Sequence, residues 1–229
     1  MTDRAKRPFL FPRWANYVVP VLLLAGAAGA PYMMLLLGLG GAPSTTDIGY
    51  QPPQPIPYSH QLHVNQLGMD CRYCHTTVET AAFAAIPDSA TCMNCHSMIR
   101  TTSPNLQALY ATFKDGMSIP WTKVHDLPDY AYFNHSAHIN KGVGCVECHG
   151  RVDQMGAEGV FQKEELSMGW CLSCHRDPAP RLRPRDQVTN MFWHLDKSPE
   201  DRAKIGAELV KTLSIKSPQA MSDCSVCHR

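Results

Sequence analysis

Apolar residues are spread unevenly along this chain. From Val18 to about Leu39 no residue is charged, and at about 1.5 Å per helical residue such a run is long enough to cross a bilayer core. It predicts one helix over residues 15–40, kinked at Pro20 or Pro31. Residues 41–57 carry prolines at 43, 52, 53, 55 and 57 and read as an extended, semi-rigid connector. Beyond it, over residues 58–229, long apolar runs are missing and Pro and polar residues abound. Helical punctuation is clear at two places. Ser103-Pro104 supplies an N-cap and first-turn proline for a helix closed by Gly116. Ser198-Pro199-Glu200-Asp201 opens another, with an acidic first turn, running to about Leu213. No alternating apolar pattern predicts a sheet. The fold class is mainly α with much irregular loop.

Charge gives the long helix a direction. Arg4, Lys6, Arg7 and Arg13 precede it, opposed only by Asp3, whereas from Gly40 to Tyr58 the only charge is Asp47. The positive-inside rule puts residues 1–14 in the cytoplasm and the remainder on the extracytoplasmic side of the inner membrane, with Trp14 and Tyr17 at the interface. A cleaved signal peptide is the alternative, since the small residues 25–30 resemble a cleavage site. The apolar run continues well beyond that site, however, and Pro31 would follow the cut immediately. A retained single-pass helix is the better reading.

The cysteines carry the chemistry. All ten fall in five copies of Cys-x-x-Cys-His: Cys71, Cys74 and His75; Cys92, Cys95 and His96; Cys145, Cys148 and His149; Cys171, Cys174 and His175; Cys224, Cys227 and His228. Composition alone would produce roughly 0.02 copies. Zinc knuckles pair in twos and do not require a His after the second Cys. A disulfide framework would not repeat one spacing five times, and a thioredoxin-like motif would occur once. Covalent attachment of five c-type haems fits instead: two thiols add to the vinyl groups, and the adjacent His is the proximal iron ligand. Porphyrin surface would also supply the core that these side chains lack.

Six further histidines are candidates for the opposite side of the irons: His60, His63, His125, His135, His138 and His194. Four of them lie in an internal repeat. Tyr58-Ser59-His60-Gln61-Leu62-His63-Val64-Asn65 ahead of Cys71 matches Phe133-Asn134-His135-Ser136-Ala137-His138-Ile139-Asn140 ahead of Cys145. His-x-x-His puts both imidazoles on one face of a helical turn, so that one serves the haem of its own motif and the other reaches a neighbouring haem. A paired zinc site is the alternative for these pairs. His125 is taken as the fifth distal ligand and His194 as the weakest of the six. Met155, Met168 and Met191 lie near motifs, and a thioether in place of one imidazole would raise a haem's potential. With every motif His intact, no iron keeps an open substrate position. The reading is electron transfer, with no catalytic residue.

The formal charge of +1 would fall, with five bis-ligated haems and their propionates, to about −4 oxidised or about −9 reduced, which argues against a nucleic-acid partner. Arg176, Arg181, Arg183 and Arg185, just after the fourth motif, are suited either to haem propionates or to a solvated basic loop.

Tyr50-Gln51-Pro52-Pro53-Gln54-Pro55-Ile56-Pro57-Tyr58-Ser59-His60, the first two motifs with Thr91 and Asn94, Val124 to Asp129, Phe133-Asn134-His135 and Met168-Gly169-Trp170-Cys171 together resemble the pentahaem cytochrome subunit of bacterial alternative complex III, over about residues 14–229. The resemblance implies an electron-relay subunit of a quinol:electron acceptor oxidoreductase. Its partners would be an iron–sulfur subunit like molybdopterin enzymes, polytopic quinol-oxidising membrane subunits, and a soluble electron carrier. Two other functions compete with it. A small membrane-anchored multihaem quinol dehydrogenase has the same topology, but no polar or acidic residue suited to a quinone pocket interrupts the apolar segment. A pentahaem nitrite reductase-like enzyme is disfavoured by the intact motif histidines.

Overall fold

Twenty-six uncharged residues form one continuous helix, α1 (Ala15–Gly40), in a computed structural model that describes residues 12, 14–42 and 45–228. The helix runs through Pro20 and Pro31 and buries none of its residues. It is long and apolar enough to cross a membrane. Arg4, Lys6, Arg7 and Arg13, which set its direction in the sequence reading, lie outside the described residues, as does Pro43. The chain divides into two units, one ending at Thr46 and the other beginning at Asp47.

The second unit is built from short helices: α2 (Cys71–Cys74), α3 (Ser89–His96), α4 (Gln107–Lys114), α5 (His135–Ile139), α6 (Val146–His149), α7 (Met168–Arg176), α8 (Pro199–Thr212), α9 (Pro218–Met221) and α10 (Cys224–Cys227). A six-residue π-helical turn spans Gln61–Gln66. Among the described residues there is no strand, only an isolated antiparallel bridge between Val143 and Leu182, so the fold is mainly helical, as the absence of period-two alternation predicted. The two punctuated helices form where their signals stand. Pro104–Leu106 makes a 3-10 turn leading into α4, and Gly116 follows it at φ 64°. Ser198 caps α8 by accepting from the backbone N–H of Asp201.

The proline-rich segment is not a free connector over its whole length. Gly49 donates to the Gln162 carbonyl at 2.8 Å, and Gln162 donates back to Tyr50 at 3.0 Å. The Gln54 side chain makes two bonds of 2.9 Å with the Thr122 backbone, and Pro52 and Ile56 are buried. Prolines at 52, 53, 55 and 57 lack the N–H that a ladder needs, so this strip is fastened by its Gly, Tyr and Gln residues. Only the stretch before Gly49 remains to join α1 to the domain.

The apolar core is small. Ile56, Leu109 and Ile119 form one cluster, against which Cys92, Met93 and Trp121 pack. Elsewhere the buried apolar side chains are Ile139, Met155, Leu182, Val188, Met191 and Trp193. The closest backbone approach is at Gly206 of α8, where a Cβ would lie 1.8 Å from the Ala179 carbonyl oxygen. That glycine lets α8 lie directly on the 3-10 turn Ala179–Arg181.

Candidate haem-binding sites

Each Cys-x-x-Cys-His motif sits on a single helical turn, and in four of the five a short polar side chain starts that turn. Asp70 accepts from the Arg72 N–H, Asp88 from Thr91, Ser167 from Trp170 and Asp223 from Ser225. The third turn begins at Cys145 without such a cap. A helical turn brings residues i and i+3 to one face and sets residue i+4 one turn above the first. This puts both thiols of a motif on one side with the imidazole beside them, the arrangement a porphyrin edge requires. None of the ten cysteines is in a disulfide. Among the described residues no group of three or more His, Cys, Asp or Glu is gathered as a metal site would need.

Ring orientation is the second test. A ligating imidazole donates its other N–H to a fixed acceptor. His75 Nδ1 meets the Ala85 carbonyl at 2.7 Å, His96 that of Ile99 at 3.1 Å, His175 that of Met221 at 2.8 Å and His228 that of Tyr130 at 3.0 Å. Among the distal candidates, His63 meets Ser59 at 2.8 Å, His135 meets Ala82 at 2.9 Å and His138 meets Asn134 at 2.8 Å. A backbone carbonyl can only accept, so all seven rings carry the proton on Nδ1 and present the Nε2 lone pair. The Nδ1 of His60 and the Nε2 of His125 are buried with no partner.

Four of the imidazoles are also held towards the neutral form, as ligation requires. Burial, then the neighbouring His75 and His63, pulls His60 down to about 4. Burial, then His125 and other imidazoles, pulls His149 down to about 3. Burial likewise lowers His125 and His138.

Spacing is the third test. Two imidazoles on opposite sides of one iron, each about 2 Å from the metal, have ring centres roughly 6.2 Å apart. His63 and His96 stand 6.2 Å apart, His138 and His175 6.1 Å, and His135 and His149 6.4 Å. The residues therefore fit the group. His125 lies edge-on to His149 at 4.5 Å, nearer than two ligands of one iron, and it stands beside the third motif. The ring beside His228 is that of Tyr130, at 5.9 Å.

The repeat is structural as well as sequential. Tyr58 stacks on His63 at 4.5 Å and meets His60 edge-on at 4.8 Å; Phe133 stacks on His138 at 4.5 Å and meets His135 edge-on at 4.7 Å. In both copies the second His of the pair reaches the proximal His one motif further on.

His194 is used differently. Its Nε2 meets Glu147 and its Nδ1 meets Arg202, so both ring nitrogens are engaged. Arg183 also approaches Nε2, at 2.7 Å, so that nitrogen faces both a carboxylate and a guanidinium. Arg183, expected on a solvated loop or at a propionate, is fully buried. It donates to Glu147 and, at 3.0 Å, to the Asn190 carbonyl, while burial draws its pKa down. Gly144 makes room for it, since a Cβ there would lie 2.3 Å from the guanidinium carbon. Of its neighbours, Arg185 bonds Asn140 at 2.7 Å and Arg181 bonds Ser173 at 3.1 Å. Sequence reasoning missed this Glu147–Arg183–His194–Arg202 cluster; the only signal was a carboxylate inside a motif. Met155 and Met191 are buried in the core and Met168 is exposed.

Removing one member of a buried pair leaves the other uncompensated. Arg183→Met is expected to lower the stability of the haem-loaded protein by about 3–5 kcal/mol, read as a fall in melting temperature. Adding Glu147→Gln should recover much of that loss.

Motif turns, carbonyl-fixed imidazoles and their spacing are what the attachment of several c-type haems would require. Residues 131–229 match the family described as cytochrome c7 and related cytochrome c. Over 190 residues, 78% of this chain and 78% of the relative, the sequence is 28% identical to the protein named menaquinone reductase, multiheme cytochrome c subunit, of Nitratidesulfovibrio vulgaris. The family match covers the third, fourth and fifth motifs. The first and second motifs lie outside it.

Proposed function

We propose that the chain is a pentahaem electron-transfer subunit of a membrane quinol:electron acceptor oxidoreductase of the alternative complex III type. In this reading α1 spans the inner membrane and the domain from Asp47 onward is extracytoplasmic. The ten cysteines attach five haems, with His75, His96, His149, His175 and His228 proximal. A bound haem supplies a one-electron iron couple tuned by its axial ligands. The chain's residues would orient it: Ser59, Asn134, Ala82, Ala85, Ile99, Met221 and Tyr130 carbonyls fix the imidazoles, and three opposed ring pairs would hold a haem from both sides. His63 would serve with His96, His138 with His175 and His135 with His149, and His60 lies beside His75 of the first motif. His125, read from the sequence as the fifth distal ligand, stands against His149 and not against His228.

The observation that carries this is the trio of His–His spacings near 6.2 Å, because irons held between two imidazoles suit electron transfer and leave no substrate site at those haems. The loaded protein should show low-spin iron by EPR at the four sites with two imidazoles. A high-spin signal of more than one haem per chain would contradict it.

Partners follow from the resemblance: an iron–sulfur molybdopterin-enzyme-like subunit, polytopic quinol-oxidising subunits, and a soluble carrier taking the electrons. Extraction of native membranes in mild detergent, with the copurifying chains identified by mass, tests this. Large iron–sulfur and polytopic subunits together with quinol:cytochrome activity support it. The cytochrome alone, or with one soluble reductase, favours a small quinol dehydrogenase. The similarity to a menaquinone reductase subunit favours a second reading, in which the same relay delivers electrons into the quinone pool. Reduction of added quinone by a reduced carrier in the isolated complex would identify that direction.

A further inference from the structure

The motifs do not follow one another in space as they do in sequence. The second motif touches the first: Asn94 donates to the Tyr73 hydroxyl at 3.2 Å, and His63, just ahead of the first motif, faces His96 of the second. The first touches the third. Thr189, whose neighbour Val188 accepts from the Cys145 N–H at 3.0 Å, bonds Asp70, the cap of the first motif's turn, at 3.3 Å. The third approaches the fourth: His138, ahead of the third, faces His175 at 6.1 Å. The fourth joins the fifth, because His175 donates to Met221, two residues before the α10 cap Asp223.

Resting on the haem reading above, we propose that the five haem positions run in the order second, first, third, fourth, fifth, so that the second and fifth motifs are the two ends of the relay. The two His-x-x-His units stand back to back, joined through their leading motifs at Asp70 and Thr189, and each sends its second imidazole outward to its trailing motif. The fifth motif extends one side only. Exposure fits this order: the exposed cysteines are Cys95 of the second motif and Cys224 of the fifth, whereas those of the first, third and fourth are half-buried. Each hop moves one electron, lost by one site and gained by its neighbour, with no bond made or broken in the chain. The electrons come from quinol at one end and pass to the soluble carrier at the other.

Two variants of the full chain in its membrane complex decide the order: C71A/C74A, which deletes the first site, and C92A/C95A, which deletes the second. Intact mass first counts haems, and four must remain in each; any other count contradicts the haem reading itself. EPR of the fully oxidised protein then reads spin coupling between neighbours. In the proposed order the first-site variant strands the second site, so an uncoupled low-spin signal of one spin per chain should appear. The second-site variant removes an end, so all four remaining spins should stay coupled. In sequence order the outcomes reverse, and an isolated spin in C92A/C95A with none in C71A/C74A would overturn the proposal. Each variant decides alone, so failure of one to assemble leaves the other.

Discussion

Produced without haem attachment, the chain should show no cooperative thermal transition beyond α1 and should be digested rapidly by a protease that leaves the loaded protein intact. The physical ground is the size of the core. Nine large apolar side chains are buried among the described residues, and ordering the backbone of each residue costs about 1–2 kcal/mol. The loops that position the motifs are held by capping and by single backbone bonds, such as His135 N–H to Ala82 at 3.0 Å and Tyr132 N–H to Cys227 at 2.7 Å. Bonds of this kind contribute little net stability each. The imidazoles add a cost of their own, since His60 and His149 are buried beside other rings and are compensated when their lone pairs are used. Far-ultraviolet dichroism on heating, with limited proteolysis, checks this. A sharp transition in the haem-free domain would contradict it.

His63→Met is expected to raise the midpoint potential of a single haem by about 0.1–0.3 V, a fraction of the ~0.8 V range that axial ligands span, leaving the other four nearly unchanged. The thioether lacks the imidazole's donor strength and loses the Ser59 carbonyl that fixes the ring. His138→Met should do the same to another haem, since the repeat makes the two positions equivalent. His194→Met is the control. Its ring nitrogens are committed to Glu147 and Arg202, so it should lower the melting temperature and move no potential by such an amount. Potentiometric titration of the visible haem bands separates the outcomes. A His194 variant that shifted one potential as His63 does would remove the ligand assignment.

The motifs, the helices at Pro104–Lys114 and Pro199–Thr212 and the His-x-x-His repeat were all legible in sequence, because each rests on signals close together in the chain. What was not legible depends on the chain returning on itself. The strip from Gly49 to Pro57 has linker composition, and only its bonds to Gln162 and Thr122 show that it belongs to the domain. Arg183 looks like one of four surface arginines; its burial follows from Gly144 and Glu147, 39 and 36 positions earlier. His194 resembled a spare ligand until both nitrogens were accounted for. His125 reads as the ligand for whichever site lacks one, and the fold sets it against His149. The order of the sites is likewise tertiary, turning on the bond between Asp70 and Thr189 across 119 positions.

The central claim is that every cysteine of this chain carries haem. Intact mass of the denatured protein purified from its own membranes tests it most directly, because thioether-linked haem survives denaturation and ligated metal does not. The expected mass is that of the polypeptide plus five haems, with no thiol left to alkylate. A polypeptide mass with free thiols, or with fewer than five haems on a fully matured chain, would contradict it.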